Sequence, residues 1–222
     1  MNVAKDSNNE IVWVEDATKG NKYFCPECGG EYILRDGKIK SKHFAHKSLK
    51  DCDAWGSEMS KWHLDWQKRF PLENREVIIT HNGETHRADV CIRNYVIEFQ
   101  NSPMSCEEFD KRTKFYTDAG YKLIWIFNFR EKFRQSRIYR DEGCKFVWKY
   151  WSNTFVNHKF DRNKVLLYFE MYNSYDFKES ILHEVIYAPM ICGWRSFSWF
   201  LVNRKGPFLK WNFVRYVSAG YA

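Results

Sequence analysis

The chain has 222 residues and a formal net charge of +7, with 44% hydrophobic and 28% charged residues. This apolar fraction is typical of a packed globular protein and argues against disorder as the main state. No stretch approaches the ~18 apolar residues of a membrane helix, and the start MNVAKDSNNE has no signal-peptide core. We therefore expect no membrane association and a cytoplasmic location.

The excess positive charge belongs to one end of the chain. Residues 1–129 carry 19 Lys and Arg against 20 Asp and Glu, whereas residues 130–222 carry 16 against 8. The second part also holds 23 of the 41 aromatic residues. A basic, aromatic-rich part beside a neutral one predicts a binding region beside a chemical region. The alternative is a solvated surface over an aromatic core.

A cysteine–histidine segment, residues 23–52, contains the first candidate site. Cys25 and Cys28 have zinc-knuckle spacing in CPECGG, and a predicted hairpin (31–34 and 38–40) leads from them to the sequence HFAH. Thiolates and imidazoles in fours are the ligands of structural zinc. We favour one set of four ligands: Cys25, Cys28, His46 and Cys52.

Two alternatives to that ligand set stay open. His43 and His46 together would complete a site with two cysteines and two histidines. A redox CxxC motif would need a following βαβ unit, which the sequence does not predict. The remaining cysteines are scattered along the chain and are typical of free thiols in a reducing compartment.

The middle of the chain predicts a helix, three strands, a helix and a fourth strand. Ser57 is the expected cap of the first helix, and Ser105 opens the second with a capping box. Adjacent strands favour antiparallel pairing, and the crossover helix favours a parallel fourth strand, so we expect a mixed sheet. In chain order the elements are 57–70, 76–80, 86–92, 95–100, 105–118 and 122–129.

The last part is less regular. Residues 130–140 have helical propensity, and 165–170 and 181–187 resemble strands. The sequence thus predicts an α+β protein in three parts: a zinc-ribbon-like module, a mixed-sheet core and a basic aromatic C-terminal region. Their expected bounds are 1–56, 57–129 and 130–222.

Two acids face each other in the hairpin of the core. With a two-residue turn at Arg93 and Asn94, the numbers of two opposed residues add up to 187. This register places Ala88, Val90 and Ile92 opposite Phe99, Ile97 and Tyr95 on one apolar face. On the other face Asp89 lies opposite Glu98, with Gln100 beyond it. Opposed carboxylates ~5 Å apart repel each other unless a cation lies between them.

A hard divalent cation is the simplest partner for such a pair. Glu58, on the preceding helix, could approach the same site. Two other interpretations remain: both acids are solvated at a sheet surface, or they share a proton.

These residues carry a resemblance to a known family. The chain resembles the PD-(D/E)XK nuclease superfamily and, more closely, the competence protein CoiA-like nucleases. The resemblance covers about residues 11–128 and rests on a joint pattern: CPECG, HFAH, Glu58 with Trp62 and His63, Asp89 in RADV, Glu98 with Gln100, and Arg112 with Tyr116.

The resemblance implies a metal-dependent nuclease that hydrolyses DNA. Asp89 and Glu98 would hold Mg²⁺ or Mn²⁺, with Glu58 supporting them. Gln100 stands where the superfamily usually has Lys, so it can orient a water but supplies no charge. Lys61, His63 or Arg87 could supply that charge, and His63 is also a candidate general acid or base.

The basic C-terminal region predicts the nucleic-acid contacts. We expect these from Arg130, Lys132, Arg134, Arg137, Lys149, Arg204 and Lys205. The resemblance implies partners in DNA recombination. A catalytically silent nucleic-acid-binding protein with the nuclease fold is one alternative, favoured by Gln100, and a zinc-dependent adaptor is another.

Overall fold

The computed structural model describes residues 1–37, 42–48, 60–140, 145–149, 161, 163–172, 177–187, 197–202 and 210–219. Its N-terminal part is a five-stranded antiparallel sheet in the order β2-β1-β3-β4-β5. Tyr23, Tyr32 and Phe44 pack in its core together with Cys25. The strands are β1 (Val3–Lys5), β2 (Ile11–Trp13), β3 (Tyr23–Phe24), β4 (Glu31–Arg35) and β5 (His43–His46).

The hairpin expected in this module has a different second strand. β4 pairs with β5, which carries the HFAH sequence. Residues 38–41, which include the expected second strand, lie outside the described residues.

The rest of the described chain builds one nine-stranded mixed sheet with helices on both faces. The sheet order is β10-β11-β14-β13-β12-β9-β8-β7-β6, and β9 pairs in parallel with both β8 and β12. The elements are α1 (Lys61–Gln67), β6 (Arg75–His81), β7 (Glu84–Ile92), β8 (Tyr95–Gln100), α2 (Cys106–Asp118), β9 (Lys122–Asn128), α3 (Arg130–Arg134), β10 (Ile138–Arg140), β11 (Lys145–Lys149), β12 (Val165–Tyr172), β13 (Ser180–Tyr187), β14 (Phe197–Val202) and α4 (Lys210–Ser218).

The apolar strand β9 is buried on both faces and separates two aromatic cores. Leu123, Trp125 and Phe127 join the core under α2 and α3, whereas Ile124 and Ile126 join the core under α1 and α4. A strand covered on both sides reads as a continuous apolar run, which explains KLIWIFN. The predicted α+β class and mixed sheet are therefore confirmed.

Both helices of the predicted core form, with one change of boundary. α2 begins after Ser105, whose hydroxyl accepts a hydrogen bond from the Glu108 amide at 3.1 Å, as the capping box predicts. α1 instead begins after Ser60, which caps it through the His63 amide. The expectation that Ser57 caps this helix is wrong, since Ser60 has that role.

The division into three parts stays a prediction. The expected boundary at residue 56 lies among residues 49–59, outside the described residues. At the other boundary, β9 and β12 share the nine-stranded sheet, so the sheet continues across residue 129. Across the described ranges, we find no helix with the length and apolar character needed to cross a bilayer.

Candidate functional site

The two predicted acids lie where β7 and β8 separate. The ladder between these strands includes Val90–Ile97, Cys91–Val96 and Ile92–Tyr95, as the expected register requires. The expected pairs Ala88–Phe99 and Asp89–Glu98 are not part of this ladder. Instead, the Asp89 carboxylate accepts the Phe99 amide at 2.8 Å, and Glu98 accepts the Asp89 amide at 3.4 Å.

This separation also changes which face the strand presents. Val90 and Ile92 pack under α1, as expected of one apolar face, whereas Ala88 packs in the opposite core under α2. Side-chain carboxylates take the place of backbone acceptors at this point. Both acids are therefore held in place through backbone amides.

His63 of α1 lies against Asp89. Its Nε2 is 3.0 Å from Asp89 Oδ1, and its ring packs edge-on against Phe99. Burial lowers the pKa of His63, but the charges of Asp89 and Glu76 and the hydrogen bond to Asp89 outweigh it, so the pKa lies above its usual value. The predicted general acid or base thus contacts one of the predicted metal ligands.

Glu98 is buried beside a like charge. Its residue is 3% exposed. Burial raises the pKa of Glu98 most, the charge of Asp89 raises it further, and Arg112 and a hydrogen bond with Tyr116 oppose the rise. The result is a carboxyl that favours its protonated form unless a cation joins it.

One face of α2 supports Glu98: the family resemblance had pointed to Arg112 and Tyr116 without giving them a role, whereas Glu108 was missed. Arg112 Nη1 lies 3.5 Å from Glu98 Oε2, and Arg112 Nη2 bonds Glu108 at 2.5 Å. Glu108, Arg112 and Tyr116 are four residues apart, so they share a helix face. That spacing, opposite an acidic strand, is the signal that could have identified them.

The other predicted site residues, taken one by one, differ in their surroundings. Gln100 donates to the Ser102 carbonyl at 2.8 Å and hydroxyl at 3.1 Å. Glu58 lies outside the described residues. Arg87 is paired with two acids, Glu27 at 3.0 Å and Glu76 at 3.1 Å, so its charge is already compensated.

Glu76 and Gln67 complete the surroundings of Asp89. Glu76 lies in β6 between the paired positions Arg75–Val90 and Val77–Ala88, which places it beside Asp89. Its φ of 53° is left-handed, which is strained for a residue with a side chain. Gln67 of α1 donates to Glu76 at 2.5 Å and to the Asp89 carbonyl at 3.1 Å.

A second cluster combines two thiols with one imidazole. The ligand atoms of Cys25, Cys28 and His46 all lie within 4.8 Å of one another, with Cys28 Sγ and His46 Nε2 3.4 Å apart. Gly29, directly after Cys28, has a φ of 70°, and its amide closes the cysteine turn by donating to the Cys25 carbonyl at 2.9 Å. Soft sulfur and imidazole donors fit zinc.

The structure favours one of the two predicted ligand sets. His43 pairs with Arg35 and is three positions from His46, so the two side chains leave β5 on opposite faces. Of the two histidines, the described cluster includes His46 and not His43. Cys52, the fourth ligand of the favoured set, lies outside the described residues.

The predicted basic residues are unequally available. Arg134 and Arg137 are exposed, although Arg134 pairs with Glu131 at 2.9 Å. Lys132 lies over the Phe129 ring, and Arg130 Nε is 3.6 Å from Glu170. Lys149 belongs to β11, but its side chain is not described, and Arg204 and Lys205 lie outside the described residues.

Glu170 forms a buried polar cluster that the sequence did not reveal. This β12 residue is 0% exposed, and one of its oxygens accepts the indole N–H groups of Trp62 at 2.8 Å and Trp66 at 2.6 Å. The other accepts the Ser180 hydroxyl at 2.7 Å. An acid inside the apolar run VLLYFE was the available signal.

Comparisons with known proteins show which family the chain is similar to. A family model described as competence protein CoiA, N-terminal domain, matches residues 7–54, and one described as competence protein CoiA, nuclease-like domain, matches residues 65–188. Competence protein CoiA of Bacillus subtilis (strain 168) is 29% identical over 143 residues, which cover 60% of this chain and 38% of that protein. The chain therefore aligns with less than half of this relative. No solved structure gives a significant match.

Proposed function

This chain belongs to the competence protein CoiA family, and from that premise we propose that it is a metal-dependent nuclease that hydrolyses DNA phosphodiester bonds. Its nuclease-like domain indicates a nucleic-acid substrate. Asp89 and Glu98, with Gln100, would form the acidic centre of a PD-(D/E)XK-like site. Glu58 would support that centre from the residues that precede α1.

One observation carries the proposal: Glu98 is buried beside a second acid, Asp89, and among the described residues its paired cation is Arg112. Asp89 raises the pKa of Glu98, and Arg112 opposes it only from 3.5 Å. Carboxylate oxygens are the preferred ligands of Mg²⁺ and Mn²⁺. An ion held by Asp89 and Glu98 would supply the Lewis acid for phosphodiester hydrolysis.

The protein's own groups would have distinct roles. The Phe99 amide and His63 orient Asp89 from two sides. His63 can give or take a proton next to the acidic pair. Arg112 is the nearby cation on the Glu98 side, and it offers the positive charge that Gln100 cannot supply.

A cleavage panel tests the proposal. Single-stranded, duplex and branched DNA and RNA are each incubated with EDTA, Mg²⁺ or Mn²⁺. We expect wild type to cut DNA only with a divalent ion, and Glu98→Gln to cut none. Glu84→Gln is the matched control, because Glu84 lies on β7 with a side chain 59% exposed. Equal cleavage by Glu98→Gln and wild type would refute the site.

A silent nucleic-acid-binding protein is the second candidate. Gln100 favours it, because its amide is bonded to Ser102 and it brings no charge. In that case wild type binds the panel's substrates and cuts none with either ion.

In the proposed nuclease, seven basic residues would bind the nucleic acid: Arg130, Lys132, Arg134, Arg137, Lys149, Arg204 and Lys205. Its proposed protein partners are those of DNA recombination.

We also propose a structural zinc held by Cys25, Cys28, His46 and Cys52. Four protein ligands close the coordination sphere, so this ion would stabilise the fold and take no part in catalysis. Metal analysis of purified protein should find about one zinc per chain. Cys28→Ser should lose it, whereas Cys91→Ser, a half-buried thiol on β7, should keep it. Retention of zinc by Cys28→Ser would refute this site.

A further inference from the structure

The cysteine turn contacts the acidic site through a buried ionic bridge. Glu27 lies between Cys25 and Cys28 in sequence, and its side chain is 4% exposed. Arg87, on β7, forms ion pairs with Glu27, whose Oε1 lies 3.0 Å from Nη1, and with Glu76, whose Oε2 lies 3.1 Å from Nε. One guanidinium thus joins the N-terminal sheet to β6 of the large sheet.

The bridge is too buried to be an incidental surface contact. The side chains of Arg87 and Glu76 are 8% and 1% exposed, and exposed ion pairs contribute little because water and salt screen them. The charges of Glu76 and Glu27 hold the pKa of Arg87 above its usual value despite burial. Removing Arg87 would leave two buried acids without a counter-charge, whereas removing one acid leaves Arg87 held by the other acid alone.

The bridge ends at Asp89. Arg87 is two residues before Asp89 on β7, and Glu76 lies beside Asp89 on β6. Gln67 joins the Glu76 carboxylate to the Asp89 carbonyl. A left-handed backbone conformation persists only where surrounding contacts stabilise it. Glu76 has this conformation, and its side chain contacts Arg87 and Gln67.

We propose that Glu27, Arg87 and Glu76 are positioning residues through which the cysteine turn holds Asp89 in its metal-binding geometry. This inference rests on the proposed function. It assigns the N-terminal sheet a direct part in the acidic site: a change at Glu27 weakens divalent metal binding although Glu27 never touches the metal. Groups that orient metal ligands typically alter affinity by about 10- to 100-fold.

The experiment measures Mn²⁺ affinity without nucleic acid, by electron paramagnetic resonance of free Mn²⁺. We expect Glu27→Gln to bind Mn²⁺ about tenfold more weakly than wild type, and its cleavage to recover at saturating Mn²⁺. Glu31→Gln is the matched control, because Glu31 lies in the same sheet and makes an exposed pair with Lys47. Wild-type affinity in Glu27→Gln, or equal weakening in both variants, overturns the proposal.

Two further variants distinguish a failure of the bridge proposal from a failure of the proposed nuclease site. Arg87→Lys keeps the charge but cannot bond both acids with one planar group, so it should weaken Mn²⁺ binding even if Glu27→Gln fails to fold. Asp89→Asn defines the signal of a lost site. If Asp89→Asn binds Mn²⁺ as wild type does, the proposed nuclease site is wrong and the bridge proposal falls with it. If only Asp89→Asn loses binding, the bridge proposal alone is wrong.

Discussion

Two buried glutamates show how neighbours decide what an acid does. Glu98 and Glu170 are 3% and 0% exposed, and both lie on strands of the same sheet. Glu170 accepts hydrogen bonds from two indoles and a hydroxyl, all at 2.8 Å or less. Glu98 faces Asp89, and Arg112 approaches it only to 3.5 Å.

The difference separates a structural acid from the acid that we propose as a metal ligand. Donors on both oxygens compensate the desolvation of Glu170, so its cluster ties α1 to β12. A like charge beside Glu98 adds to its desolvation, so this carboxyl needs a proton or a cation. Burial alone therefore does not make an acid a candidate metal ligand, whereas burial beside a second acid does.

The largest expected effect is on cleavage at the acidic pair. We predict that Asp89→Asn and Glu98→Gln lower cleavage about 100- to 1000-fold. Asn at position 89 still offers an oxygen to the Phe99 amide, so the strands keep their separation. Loss of a like-charge neighbour should also raise the thermal stability of the metal-free protein. Single-turnover cleavage and melting curves of the same samples check both statements.

Replacing Glu170, the structural acid, should instead lower the stability of the protein. We predict that Glu170→Leu lowers the free energy of unfolding by about 2–4 kcal/mol, because two indole N–H groups and the Ser180 hydroxyl lose their acceptor. Glu179→Leu, at an exposed neighbouring position, is the control. Urea unfolding measures the difference. A Glu170→Leu variant as stable as its control would contradict the structural role.

The acidic pair should also give the metal-free protein an unusual pH dependence. The pKa of Glu98 is raised from its ordinary 4.5 to about 8 in the folded protein. Between these two values Glu98 is ionised in the unfolded chain and protonated in the folded one. Stability therefore falls as pH rises through this window. The raised pKa of His63 acts in the same direction above 6.5.

Melting temperatures between about pH 5 and pH 9 test this dependence. Glu98→Gln should flatten the fall, and Mn²⁺ should oppose it by binding the ionised pair. Glu84→Gln, on the neighbouring strand β7, should leave the fall unchanged. A wild-type protein that grows more stable over this range would show that Glu98 ionises normally.

The smallest effect concerns two exposed arginines at the start of the basic C-terminal region. Arg134→Gln with Arg137→Gln removes two exposed charges and leaves Arg130 beside Glu170 untouched. We predict weaker DNA binding in EDTA and a salt slope lower by roughly 1.5. Lys19→Gln with Lys22→Gln, both exposed in the N-terminal sheet, is the control. An unchanged slope would exclude these two arginines from the interface.

Local patterns made the middle of the fold predictable. Alternating apolar residues gave the register at Val90–Ile97 and Ile92–Tyr95, and the capping box gave the start of α2. The same alternation extended the ladder too far, because a period of two does not show that the Asp89 side chain captures the Phe99 amide.

Long-range contacts were the part that no local pattern could supply. Glu27 lies in the turn between β3 and β4 and Arg87 lies on β7, and no local pattern indicates that the two side chains pair. Glu170 meets Trp62 and Trp66 from more than 100 residues away. The apolar stripe of α1 was visible in the sequence, but the acid that receives its indoles was hidden inside a strand.

The anchor of α1 has a consequence for the order of events at the ribosome. A nascent chain that has reached the end of β9 contains Asp89, Glu98, Arg112 and His63. It does not yet contain Glu170, which receives both indoles of the helix that presents His63. Domains form from the N-terminus as synthesis proceeds, so α1 gains this acceptor for its two indoles only after β12 is made. The anchor of the helix is therefore completed late, when most of the chain has been synthesised.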